Sequence, residues 1–120
     1  MLEDISDNIQ NKLGGSLHAV ILYGSYARGD YDDESDIDIM VLAETNENDT
    51  APREIADEIS NDMSLKYDML VSIIIRPEDL FYERVSFVPF YRNVANEGIF
   101  VYGTKRELRI FYEQIKLYYR

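Results

Sequence analysis

The chain has 120 residues, 46% of them hydrophobic, with no cysteine and a formal net charge of −11. This length supports one modest core, and the missing cysteines exclude a disulfide framework, a thiolate metal site and a cysteine nucleophile. The acidity argues against direct nucleic-acid binding, which depends on Lys and Arg displacing counterions from phosphates. No apolar run approaches the ~20 residues of a membrane span. The start, Met1-Leu2-Glu3-Asp4-Ile5-Ser6, lacks the basic-then-apolar layout of a signal peptide. A cytoplasmic protein with no membrane contact is expected.

Ile5, Ile9 and Leu13 recur every four residues before Gly14-Gly15, which predicts an amphipathic helix over 2–13 with a glycine stop. Ala19–Tyr23 reads as a short buried strand ending at Gly24. Ile37, Ile39 and Val41 alternate with Asp36, Asp38, Met40 and Leu42, the period of a second strand. Glu44 to Asp49 is a polar loop. Thr50 and Pro52 open a second helix carrying Ile55, Ala56, Ile59 and Met63 on one face. A third strand is expected over about Tyr67 to Ile75, closed by Arg76-Pro77.

Beyond Pro77 the pattern is helical, interrupted at Pro89 and ended by Asn96-Glu97-Gly98. Ile99–Tyr102 suits a short last strand. Thr104 caps a terminal helix with a stripe of Leu108, Phe111, Tyr112, Ile115, Tyr118 and Tyr119, which either closes the core or forms an interaction surface. The order is αβαβαβααβα, a small mixed α/β sandwich. Residues 105–120 carry five basic and two acidic side chains, about +3, leaving about −14 on the rest. That acidic surface suits either simple solvation or a basic protein partner.

The chemistry concentrates in residues 24 to 42. Gly24 follows a strand, admits backbone angles closed to other residues and lets a phosphate approach the main chain. Ser25-Tyr26-Ala27-Arg28 can begin a helical turn whose free N–H groups attract anions, with the Ser25 hydroxyl as a further donor. Asp36 and Asp38, two apart on a strand, share a face with Cβ atoms about 7 Å apart. Two such carboxylates repel unless a cation sits between them, and Mg2+ is held by one or two carboxylates plus phosphate oxygens. His18, with no second histidine to share a metal, reads as structural.

Gly24-Ser25, ten residues, then Asp36-x-Asp38, with Ala27-Arg28-Gly29 inside, resembles the signature of the DNA polymerase β-like nucleotidyltransferases. The small size and the wording Gly-Ser-Tyr-Ala-Arg-Gly are similar to the minimal nucleotidyltransferases of that superfamily. The core similarity covers about residues 17–76, and Arg92 to Ile99 is similar to the group's C-terminal end. The resemblance implies one α/β nucleotidyltransferase domain over 1–120, with a helical segment 77–120 after the core. It implies transfer of a nucleoside monophosphate, AMP from ATP, to a hydroxyl, with two Mg2+ ions held by Asp36 and Asp38. Gly24 and Ser25 would hold the triphosphate; Arg28 would meet phosphate charge or pair with Asp30 or Asp32.

The resemblance further implies an antitoxin role beside a HEPN-domain toxin, in a hetero-oligomer, with a toxin tyrosine as acceptor in some members. One departure stands out. The superfamily's third carboxylate falls on the next core strand, where this chain reads Lys66 to Ile75. Val71-Ser72-Ile73 aligns with the usual wording and puts serine there. Asp68 is the alternative, about 13 Å away along a strand. Two readings follow: an enzyme of weak activity, or an antitoxin that neutralises by binding alone.

Overall fold

The computed structural model describes residues 1–118, with side chains described as far as residue 113. In chain order it comprises α1 (Leu2–Leu13), a 3-10 turn, β1 (Leu17–Tyr23), α2 (Ser25–Arg28) and β2 (Ile37–Ala43). There follow α3 (Ala51–Tyr67), β3 (Val71–Pro77), α4 (Glu78–Arg84), α5 (Pro89–Glu97), β4 (Ile99–Gly103) and α6 (Lys105–Tyr118). The strands form one sheet in the order β3-β2-β1-β4. β1 runs antiparallel to β2 and to β4, while β2 and β3 are parallel. A parallel pair needs a long crossover, and α3 supplies it.

Alternation along the central strands sorts their side chains into two cores. Val20, Leu22, Ile37, Ile39 and Val41 pack against α1 and α3 through Ile5, Ile9, Ala56, Ile59 and Met63. Ala19, Ile21, Met40 and Leu42 face α4 and α5 through Phe81, Val85, Tyr91 and Val94. Asp38, two residues before Met40, therefore belongs to the α5 face of the sheet. That assignment decides which distant residues can reach it.

The edge strand β3 would present free N–H groups, a template for unwanted pairing. Helix α3 closes it with two serines one turn apart. Ser64 Oγ accepts from the Val71 N–H at 2.9 Å, and Ser60 Oγ from the Ile73 N–H at 3.1 Å.

The third strand begins later than its sequence suggests. α3 continues to Tyr67, and Asp68 ends it in the left-handed conformation, φ 51° and ψ 44°, with its N–H bonded to the Ser64 carbonyl. Asp is among the few non-glycine residues that tolerate this region, so the helix stops without a glycine. Asp68 is exposed and lies outside β3; the expectation that the third strand begins at about Tyr67 and includes Asp68 is thereby corrected.

At the C-terminal end, Thr104 Oγ1 accepts from the Glu107 N–H at 3.0 Å, the cap expected of it. The α6 stripe divides. Phe111 packs edge-on to Phe100 with ring centroids 4.7 Å apart, and lies over Phe81. Leu108 and Tyr112 are exposed. Of the rest of the stripe, the side chains of Ile115 and Tyr118, and all of Tyr119, lie outside the described residues.

Candidate active site

β1 delivers the chain into a tight turn. Gly24 adopts φ 76° and ψ −159° at the N-cap of the single-turn helix α2, and Gly29 ends that turn at φ 84°. The Ala27 and Arg28 N–H groups both donate to the Gly24 carbonyl at 3.1 Å. Gly24 is needed for space as well as angle: a Cβ built there would collide with Asp38 Oδ2. The carboxylate thus rests directly against the Gly-Ser turn.

The sheet register explains the approach. Asp38 is the β2 partner of Tyr23 on one side and of Ser72 on the other. Tyr23, Asp38 and Ser72 make a row across three strands, and Asp36, just ahead of β2, shares Asp38's face by alternation. Above the row stands the C-terminal end of α5. Glu97 Oε1 accepts from the Gly24 N–H at 2.9 Å, and both Glu97 oxygens accept from the Arg28 guanidinium at 3.2 Å. Arg28 Nε also donates to Asp30 Oδ2 at 3.2 Å. Gly98 lets α5 end this close to β1, because a Cβ there would strike the Val94 carbonyl and the Ile21 side chain.

Three carboxylates, Asp36, Asp38 and Glu97, thus serve one locality with Arg28 as counter-charge. Burial raises the pKa of Asp38 above its ordinary 3.8, and Asp36 and Glu97 push it the same way while Arg28 opposes them. The Tyr23 hydroxyl is pushed up to about 12, first by burial and then by Asp38 and Glu97, against Arg76. Like charges held together at a cost in stability are characteristic of functional sites. The donors are all oxygens, the set a hard cation takes.

The structure brings together Gly24, Ser25, Arg28, Asp36 and Asp38 of the residues expected from sequence. Asp68 stays apart, on the α3 cap. Ser72 occupies the strand position beside Asp38, so the third site of the row carries a hydroxyl. Sequence reasoning missed Glu97, reading it only as part of a helix end. A signal was available: a carboxylate in the last turn opposes the helix dipole, and this one precedes a glycine. A cavity of about 700 Å³, lined by residues 45–50, the first turns of α3 and β3, touches none of these groups.

A glycine-serine turn closing on strand carboxylates, on a mixed sheet with helices on both faces, defines a nucleotidyltransferase. The polymerase β nucleotidyltransferase model matches residues 3–107, and the chain belongs to that family. Two Methanocaldococcus jannaschii proteins, each named "putative protein adenylyltransferase", are similar. One is 32% identical over 84% of this chain and 94% of its own length, the other 37% over 82% and 93%.

Among solved structures, a toxin-antitoxin with AMP-PNP aligns at TM-score 0.64 and 23% identity, covering 99% of this chain and 88% of its own. A Shewanella oneidensis complex of a tri-AMPylated HEPN toxin with its MNT antitoxin aligns at 0.58 and 21%, covering 98% and 84%. These likenesses carry the fold.

Proposed function

We propose that the chain is a magnesium-dependent nucleotidyltransferase that moves AMP from ATP to a hydroxyl of a partner protein, as the antitoxin of a HEPN-type toxin. The observation that carries this reading is the Asp38 carboxylate seated against the Gly24-Ser25 turn, with Asp36 beside it. The fit to Mg2+ is good: an all-oxygen donor set, a carboxyl whose like-charged neighbours already strain it, and a turn kept bare of side chain. When bound, the ions supply charge neutralisation for the triphosphate and polarisation of the acceptor hydroxyl.

The chain's own residues do the rest. Asp36 and Asp38 would hold the ions, and the turn offers the Ser25 N–H and hydroxyl as donors to the phosphates. Glu97 fixes the turn through the Gly24 N–H and orients Arg28. In the transfer a bond forms between the acceptor oxygen and the α-phosphorus, the α–β anhydride breaks, and pyrophosphate leaves with the electron pair. The hydroxyl proton goes to solvent. The acidic body of the chain suits a basic partner, and one of the similar solved structures is a complex of a HEPN toxin with an MNT antitoxin.

A second reading rests on Ser72. Without a third carboxylate to take the acceptor proton, the chain neutralises its partner by association alone. Incubating chain, Mg2+ and a candidate HEPN-type partner with ATP labelled at either the α or the γ phosphate separates the two. Label from the α position alone, lost in Asp38→Asn, supports transfer. A stable complex with no label supports association. Ser72→Asp restores the missing carboxylate, and its expected effect is a gain in transfer rate of about 10-fold or more.

A further inference from the structure

We propose that His18, Glu78 and Glu107 form a second metal site, which takes a first-row divalent ion of the Zn2+ class and locks α6 onto the body of the protein. The three residues come from β1, the start of α4 and the first turn of α6. One donor atom from each lies within 4.8 Å of the others. His18 Nε2 is 3.1 Å from Glu78 Oε2, and its Nδ1 is 3.9 Å from Glu107 Oε2. One imidazole binds an ion through one nitrogen only, so the His18 ring or the Glu107 side chain has to turn until that nitrogen faces both carboxylates, at the roughly 3.4 Å donor spacing that tetrahedral zinc bonds of 2.0–2.2 Å set.

Glu107 supplies the independent reason to expect a ligand. Its side chain is fully buried, at 0% exposure. Oε1 accepts from the Tyr82 hydroxyl at 2.5 Å, yet the buried Oε2 has no hydrogen-bond partner and points toward His18. Leaving a buried carboxylate oxygen unpaired is costly, and a cation between Oε2, the imidazole and Glu78 would satisfy it. Tyr82 orients the ligating carboxylate from behind, as outer-shell partners of metal ligands do.

Access is also present. A cavity of about 330 Å³ opens on His18 and Glu78, with Glu44 and Arg106 on its rim. Glu44 Oε1 lies 3.9 Å from His18 Nε2 and is available as a fourth donor. Arg106 sits 3.7 Å from Glu78 Oε1, leaving Oε2 for the ion. The imidazole distinguishes this set from Asp36 and Asp38, favouring zinc or its neighbours over magnesium. The two sites lie at opposite ends of β1, roughly 20 Å apart at ~3.3 Å per residue.

The test uses the full chain carrying Asp36→Asn and Asp38→Asn, which silences the other carboxylate pair. After treatment with chelator and its removal, Zn2+ is titrated by calorimetry, bound metal is counted by elemental mass spectrometry, and Tm is read with and without the ion. The expected result is one Zn2+ per chain, a raised Tm by mass action, and no substitution by millimolar Mg2+. Adding His18→Ala or Glu107→Gln should weaken binding at least tenfold and remove the Tm gain. Glu107→Gln keeps the side-chain volume and a carbonyl for Tyr82, so its metal-free Tm should not fall. No saturable zinc binding, or binding that both variants leave intact, overturns the proposal.

Discussion

Gly24 and Asp38 illustrate how a single missing side chain organises the site. Gly24→Ala is strained on two counts: the backbone sits at φ 76°, and the Asp38 carboxylate must move aside for the new Cβ. The expected outcome is a loss of roughly 1–3 kcal/mol in stability together with loss of nucleotide transfer, read by thermal denaturation and labelled ATP. Asp38→Asn should do the opposite to stability. It removes a carboxylate that burial and two like charges destabilise, so Tm should rise by roughly 2–6 °C while transfer is lost. The sequence shows the Gly-Ser turn and Asp36-x-Asp38 because their spacing is local. Glu97 is invisible by that route, since its meeting with Gly24 depends on α5 crossing the same sheet face.

At the scale of elements, the two strongly alternating strands and the long helices are legible, because period and caps are written in adjacent residues. The start of β3 is not. Tyr67 to Leu70 looks extended only if the helix needs a glycine to stop, and Asp68 stops it instead. The same segment carries a clamp between α1 and α3: Asp4 Oδ2 accepts from Lys66 Nζ and from the Tyr67 hydroxyl, both at 2.6 Å. The Lys66 bond first, then Tyr67, lowers the Asp4 pKa below its ordinary 3.8. A depressed carboxyl pKa contributes stability above the unfolded-state value and loses it as pH falls through the folded value. Asp4→Asn should therefore lower Tm at neutral pH, with the gap from the parent chain closing below pH 3.8 in a pH series of melts. A gap that persists in acid would contradict the clamp.

For the whole molecule, charge and topology divide the labour. One end of the sheet gathers carboxylates against the Gly-Ser turn, while His18, Glu78 and Glu107 gather at the other end. Overall the chain is strongly acidic, with the basic excess confined to its last sixteen residues. A basic partner should associate fast at low salt and more slowly as salt screens the fields. Stopped-flow association with the HEPN-type protein should show the on-rate falling at least tenfold between about 20 and 500 mM salt, with dissociation changing less. This charge asymmetry is readable from composition alone, whereas the proposed acceptor group is not, because no contact with it is encoded locally.

In the proposed function, nucleotide is held at the Gly24-Ser25 turn through a divalent ion on Asp36 and Asp38. Calorimetric titration of the non-hydrolysable analogue AMP-PNP into the chain tests it most directly, with and without Mg2+, and in Asp38→Asn. Saturable binding to the parent chain is expected in Mg2+, weakened at least tenfold both by omitting the ion and by the substitution. Affinity unchanged by either, or no binding at all, would contradict it.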